Sequence, residues 1–452
     1  YFIQQAVVGG MVRCAFDTRS HQIMYVKDGV EMDIMNDLDA VSLYPSAMTR
    51  LADNQGGYLM GTPKVCLDNQ LNLEFLNSVD GYFVEIKVNK INTKRAFPVL
   101  SLMTNGSRKW INDHKQLEGE PLFVDKFTLE DAIKYQGLEY EIIRGYYYDE
   151  GRNPKIGITM PEMFNERLKL KAIGCPSQIA IKAIMNLCYG TTITKPHFTQ
   201  DIMKDEKEGD EYIYRNYNYI KSITQMGGST NVIITEYKGI DEHFNNAAIG
   251  CEILGMSKRI MREVMYLAED KGIIIKYCDT DSMHLNNDDI AKLEKAFMEK
   301  YGRKLIGKEM GQFHSDLELY DENGKKCKNV VSIESYFLGK KMYIHRTRGV
   351  GEDGKFRYGH HIRMKGVPDK SIIWYAKEHK IDVMEVYKQL YEGLSLEFDL
   401  TKDDMGKSKL PFDFRKDFTI GMKTSFTRKV KASSKKGRKQ KAEEAKEAAK
   451  KA

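Results

Sequence analysis

Tyr277-Cys278-Asp279-Thr280-Asp281-Ser282 lies between two apolar runs, Gly272-Ile273-Ile274-Ile275 and Met283-His284-Leu285. The flanks read as two strands that meet at a short acidic turn. Two carboxylates one residue apart resist joint ionisation when they are crowded. A divalent cation is the usual compensation, and a bound cation would direct such a turn toward phosphate chemistry. Alone, an Asp-x-Asp pair more often marks a solvated turn. The apolar strands on both sides make this one a rigid holder of ligands.

Upstream, the pattern from Asn245 to Lys271 is that of a long helix leading into this segment. Farther back, residues 23–50 read as strand, turn and helix, with Val30, Met32 and Ile34 alternating with polar neighbours. The turn carries a second acid, in Asp39-Ala40-Val41-Ser42-Leu43-Tyr44-Pro45-Ser46. Taken singly, this is a strand end with a capping aspartate and a core tyrosine. With a ligand, it is a carboxylate beside a phosphate-binding turn. A third element is Lys182-Ala-Ile-Met-Asn186-Leu-Cys-Tyr189-Gly190. On a helix, Lys182, Asn186 and Tyr189 share one face. Ile181, Ile184 and Cys188 are left to pack inward, and Gly190 to end the helix. Arg167 and Lys171 repeat the i, i+4 spacing on the helix before it. The bland alternative is a solvated amphipathic face.

At 452 residues, the chain is long enough for about two to four structural units. With 42% hydrophobic and 30% charged residues it has the composition of a globular protein. No apolar run approaches the roughly 18 residues that span a bilayer, so no membrane partner is expected. It opens on Tyr1 rather than Met, as a fragment or processed product would. Seven scattered cysteines, never spaced as CxxC, suit a reducing compartment and no zinc site. The net charge of +6 is local: Arg428 to Ala452 holds 11 Lys/Arg and 3 Glu, net +8 (11 − 3), leaving the rest at −2 (6 − 8). Nucleic-acid binding by the folded part must therefore come from local patches.

Elsewhere, Tyr82 to Val88 alternates as a second strand of the same sheet. Thr128-Leu129-Glu130-Asp131 resembles a capping box opening a short helix, with the strand-like Tyr140-Glu141-Ile142-Ile143 after it. Pro161 to Ala172 and Pro176 to Leu187 read as two helices joined at Gly174. Residues 200–222 look like an exposed polar insertion. Val330 to Arg346 and His361 to Val367 read as strands, Ser371 to Leu394 as a small helical unit and Phe412 to Lys431 as a hairpin. From Ala432 onward the composition suits a disordered basic tail.

The three acid- and lysine-bearing segments, in this order, resemble the polymerase motifs of family B DNA polymerases. Lys341-Met342-Tyr343 is similar to the family's K-x-Y motif at the primer terminus, and Lys365 falls where the family has a further DNA-contacting lysine. The resemblance runs from about Val7 to the start of the tail. It is nearest to the protein-primed branch of phages, adenoviruses and linear plasmids. Phe127 to Tyr148 looks like the insertion that holds a terminal protein, and the stretch from Gly190 to Asp279 leaves room for a second. Leu187 stands where the family usually has serine. Val7-Val8-Gly9-Gly10 resembles the Y-x-G-G linker without its tyrosine.

The resemblance implies an α+β right-hand fold. The palm would span residues 1–100 and 241–368, with fingers at 161–194, a small thumb at 369–431 and a basic tail at 432–452. The two insertions would be 101–160 and 195–240. It also implies a DNA-directed DNA polymerase that adds dNTPs to a primer 3′-hydroxyl by a two-metal mechanism. Asp39, the Ala40 carbonyl and Asp281 would hold two Mg²⁺ ions, which Mn²⁺ could replace, with Asp279 as a supporting acid. Arg167, Lys171, Lys182 and the Ser42-Leu43 backbone would meet the triphosphate. Tyr44 would be the steric gate against ribonucleotides, and Asn186 and Tyr189 would steady the nascent pair. Primer-template DNA would lie against Gly9, Gly10, Gly190, Thr280, Ser282, Lys341, Tyr343 and Lys365. Only 38 residues precede Asp39, too few for the family's exonuclease domain, so this chain is not expected to edit. The rival readings are an oligonucleotide-primed replicase, an inactive DNA-binding scaffold and an Asp-x-Asp glycosyltransferase.

Overall fold

The computed structural model describes residues 1–194, 198–225, 230–238, 245–400 and 427–431. Its centre is a nine-stranded antiparallel sheet in which the Ile275–Asp279/Ser282–Asn286 hairpin pairs with Met35–Ala40. Val12–Cys14 borders the hairpin on its outer side. Lys328–Gly339, Met342–Val350 and Phe356–Met364 extend the sheet the other way, and Phe313–Ser315 adds a short pairing to Met35–Ala40.

Side-chain alternation divides this sheet into a core face and a site face. Leu38 and Ala40, Cys278, and Met283 and Leu285 all join the main core. There they share packing with Leu43, Ala47 and Leu51 of the Leu43–Gln55 helix, and with Ile253, Met256 and Ile260 of the Ala247–Asp270 helix. Asp37 and Asp39, Tyr277 and Asp279, and Ser282 and His284 fall on the alternate positions. The long helix is buried along almost its whole length, which explains its mixed apolar and small-residue sequence.

Several local expectations are corrected. Val30–Met32 forms a separate hairpin with Tyr25–Lys27, and the acid-bearing strand is Met35–Ala40. Tyr82 to Val88 lies in Gly81–Ile91, the centre of a second, four-stranded sheet between Leu122–Asp125 and Leu138–Tyr148. A period of two defines which residues share a face and says nothing about which strands pair. The Lys126–Gln136 helix is capped by Asp125, whose carboxylate accepts from Thr128 N–H at 3.1 Å, so Thr128 is not the cap. The Ile156–Ala172 helix starts five residues before Pro161 (161 − 156), and the proline sits inside it. The charged 200–222 stretch is mostly exposed, as its composition suggests, and it is folded: Phe198–Asp205, Ile220–Gln225 and Asn231–Lys238 form a three-stranded sheet, with the Glu206–Asn216 helix beside it.

The expected helical unit is a pair of helices, Asp369–Glu378 and Val383–Glu392, with a small core around Ile372, Leu390 and Phe398. The expected Phe412–Lys431 hairpin falls mostly outside the described residues. Its described end, Thr427–Lys431, pairs with Ser395–Asp399. The tail from Ala432 lies outside the described residues as well. Among the described residues, no helix is long and apolar enough to cross a membrane.

Candidate functional site

The acidic turn is held from three sides. Thr280 N–H donates to the Met11 carbonyl at 2.7 Å, and Ala40 N–H donates to the Asp281 carbonyl at 2.8 Å. Within the turn, Asp281 N–H donates to the Asp279 carbonyl at 2.7 Å. Thr280 adopts φ +64°, which a β-branched residue seldom does. Asp39 lies opposite Ser282 in register, so the Asp39 and Asp281 segments are neighbours in the sheet. Asp279 takes a different partner: Lys341 Nζ stands 2.7 Å from its Oδ1.

Burial pushes the Asp39 carboxyl up to about 7, with the Asp281 and Asp316 charges adding to the rise and Lys182 opposing it. Asp281 is raised too, again chiefly by burial, with Asp279 and Asp316 contributing. Crowded carboxylates raised in this way favour the approach of a further positive charge. Among the described residues, no group of three or more His, Cys, Asp or Glu side chains is placed to enclose a metal ion. A hard cation that keeps waters and takes one or two carboxylates plus substrate phosphates needs no such cage. The donor set fits Mg²⁺ of that kind: two carboxylates and the Ala40 carbonyl, all oxygen.

These acids open onto a cleft of about 860 Å³. One wall is the turn into the Leu43–Gln55 helix. Ser42 bends it at φ +51°, and the N–H groups of Leu43 and Tyr44 have no acceptor within the helix. Pro45 fills a first-turn position where a missing donor costs little. The other wall is the helix pair Ile156–Ala172 and Ser177–Gly190, bringing Arg167, Lys171, Lys182, Asn186 and Tyr189 to the same cleft. Arg167 Nη1 donates to Ser42 Oγ at 3.4 Å, and the Tyr44 and Tyr189 rings stack at 4.3 Å. Free helix N–H groups and cationic side chains on the walls of one cleft are the kind of donors that can hold an anion.

The remaining candidates divide. Gly10 touches the turn: a Cβ there would stand 2.5 Å from Thr280 Cγ2, whereas one at Gly9 would meet nothing. Ser282 is buried beneath the turn. Lys365 is exposed beside Lys341, donating its N–H to the Lys341 carbonyl at 2.9 Å. Tyr343 is corrected. It is 4% exposed and packed with Tyr277, Phe337 and Cys14, so its ring offers no surface to DNA. Ile184 is also corrected, being exposed where Met185 is buried. The Ser177–Gly190 helix does end at Gly190, but at a right-handed φ −57° and running on into a 3-10 turn, Thr191–Ile193, so the glycine is not a left-handed cap.

Sequence reasoning missed His314, Asp316, Lys308 and Lys326, all of which line the cleft. His314 lies opposite Asp39 in the three-residue Phe313–Ser315 strand, and Asp316 N–H donates to the Asp37 carbonyl at 2.9 Å. No local motif marks them. The strand itself, Phe313-His314-Ser315, holds a single apolar residue and gives no periodic signal.

The fold is one that solved structures share. The fold is similar to that of Phi29 DNA polymerase complexed with primer-template DNA and incoming nucleotide substrates, at 15% identity and TM-score 0.54, covering 87% of this chain and 58% of that one. It is similar also to Phi29 DNA polymerase complexed with single-stranded DNA, at 15% identity and TM-score 0.53, covering 87% and 57%. The chain thus spans a little over half the length of those polymerases. No curated protein matches it in sequence. Residues 1–300 match the family of DNA polymerase type B, organellar and viral, and the chain belongs to that family.

Proposed function

We propose that this chain is the polymerising part of a template-directed DNA polymerase that extends a primer 3′-hydroxyl with dNTPs. The observation that carries this reading is the cleft itself: Asp39 and Asp281 at its floor, Lys182 and Tyr189 on the helix wall, and the Ser42 turn between them. Two Mg²⁺ ions on Asp39, Asp281 and the Ala40 carbonyl would activate the primer hydroxyl and neutralise triphosphate charge. Lys182, with Arg167 and Lys171, holds the β- and γ-phosphates where transition-state charge builds. The Leu43 and Tyr44 N–H groups add donors to the same phosphates. Tyr44 sits under the sugar and excludes a 2′-hydroxyl, while Asn186 and Tyr189 steady the base pair. In this reading the central sheet is the palm and the helix pair the fingers. The helical unit from Asp369 is the thumb, and the sheets around residues 101–160 and 195–240 are insertions.

Primer extension with Mg²⁺, run with and without an oligonucleotide primer, tests the reading. Template-dependent extension that Asp281→Asn abolishes is expected, and absence of any extension would count against it. Incorporation without an oligonucleotide, onto a candidate terminal protein, would establish protein priming. Extension only from an oligonucleotide would favour the ordinary replicase.

A further inference from the structure

Two side chains on one face of the Ala247–Asp270 helix grip the segment that leads into the acidic turn. Cys251 and Lys258 are seven residues apart, about two helical turns, and so point the same way. The Cys251 thiol donates to the Ala6 carbonyl at 3.1 Å, and Lys258 Nζ donates to the Val8 carbonyl at 2.8 Å. Both side chains are buried. A buried ammonium is expensive, and an apolar side chain would pack here without that cost. Burial pushes Lys258 down to about 8, with the Asp125 carboxylate opposing.

The gripped segment reaches the acids within three residues. Met11 accepts the Thr280 N–H, and Val12 lies opposite Asp279 in register. Gly10 presses so closely that an added Cβ would stand 3.1 Å from Thr280 Cα as well as 2.5 Å from its Cγ2. Thr280 is held at φ +64° under this contact. A β-branched residue keeps such a conformation only where its surroundings over-determine it.

We propose that Lys258 is a positioning residue for the acidic turn: by clamping the Val8 carbonyl it seats Gly10 and Met11 on Thr280 and so sets Asp279 and Asp281 against Asp39. The inference rests on the reading of these aspartates as the metal site.

Mn²⁺ binding by the whole chain with primer-template DNA and no dNTP, followed by electron paramagnetic resonance, is a readout independent of turnover. Lys258→Met should weaken Mn²⁺ binding by about 10- to 100-fold, the range seen when a partner supporting metal ligands is lost. Lys258→Arg, which keeps the charge and a donor, should lose less. Gly10→Ala should also weaken binding. Adding Thr280→Gly should restore much of it, because glycine accepts φ +64° and removes the colliding methyl. Normal Mn²⁺ affinity in Lys258→Met, or equal losses in Met and Arg, would overturn the clamp. So would simple addition of the Gly10 and Thr280 effects, which also keeps the idea testable if Lys258→Met does not fold. Asp281→Asn separates the two levels. If it keeps Mn²⁺ affinity the metal reading itself fails; if it loses affinity while Lys258→Met does not, only the positioning role fails.

Discussion

Tyr44 and Tyr189 lie face to face, ring centroids 4.3 Å apart and planes 10° from parallel, joining the helix after the Ser42 turn to the helix that carries Lys182. An aromatic pair of this kind is worth about 0.5–1.5 kcal/mol beyond its burial. In the proposed function a nucleotide must enter beside this pair, with its sugar over Tyr44. Tyr44→Val removes the ring and opens room for a 2′-hydroxyl. The ratio of ribonucleotide to deoxynucleotide incorporation should rise by about tenfold or more, the scale on which a small group is discriminated in an apolar pocket. Steady-state incorporation kinetics check this, and unchanged discrimination refutes the gate.

Asp39→Asn and Asp281→Asn should each abolish nucleotide incorporation without costing stability in the absence of metal. Burial raises both carboxyls, with the Asp281 and Asp316 charges adding to the rise at Asp39 and the Asp279 and Asp316 charges to that at Asp281, so neutralising either removes a charge that is costly to bury. Calorimetric melting in chelator should therefore show midpoints no lower than wild type. Near-normal extension by either variant would remove Asp39 and Asp281 from the chemistry.

The same crowding has a pH signature. Asp39 is raised from an ordinary value of 3.8 to about 7. A carboxyl raised on folding binds its proton more tightly in the folded state, so its contribution is present below pH 4 and lost as pH rises through 7. Metal-free wild type should thus lose stability relative to Asp39→Asn between pH 5 and pH 8. Screening in a half-exposed cleft limits the difference to the order of 1 kcal/mol, about 2 °C in a chain of this size. Melting curves of the two proteins in chelator would test it. Parallel curves across that window would mean Asp39 titrates as an ordinary surface acid.

What the sequence made legible was local and periodic. The acidic hairpin and the Lys182–Asn186–Tyr189 face depend on periods of 2 and 3.6, and both lie where those periods place them, whereas the alternation of Val30 and Met32 belongs to a separate hairpin and not to the strand that carries Asp39. Pairing between distant strands was not legible. Gly81–Ile91 has the same alternation whichever sheet receives it, and the Phe313–Ser315 strand that brings His314 and Asp316 to Asp39 is too short to show a period. Tyr343 was misread for a different reason. Lys341 sits in the hairpin turn at φ +53°, so the alternation of the following strand begins after it and carries Tyr343 into the core.

Lys182→Ala should raise the KM for dNTP and lower kcat/KM by about 10- to 100-fold, the cost of removing a charge-assisted hydrogen bond of roughly 1.5–3 kcal/mol. Arg167→Ala should cost less, because its guanidinium is partly engaged with Ser42 Oγ, whereas Lys182 stands exposed on the cleft wall. Primer-template affinity should be unchanged in both variants. An equal loss of DNA affinity would place these cations on the nucleic-acid backbone instead of the triphosphate.

Lys341 has two claims on its ammonium, and salt separates them. Its Nζ lies 2.7 Å from Asp279 Oδ1, and its backbone N–H donates to Tyr277 Oη at 2.8 Å, so the residue is anchored at the edge of the acidic turn. The side chain is 44% exposed, enough to reach a phosphate of the primer strand as well. If it does, Lys341→Met should weaken primer-template binding by about fivefold, near 1 kcal/mol for a half-exposed charge. It should also reduce the slope of log affinity against log salt by about one. The KM for dNTP should stay near the wild-type value. Fluorescence anisotropy with labelled primer-template across a salt series measures both quantities. A loss that is the same at every salt concentration, or one confined to the catalytic rate, would mean that the Lys341 ammonium serves Asp279 and not the DNA.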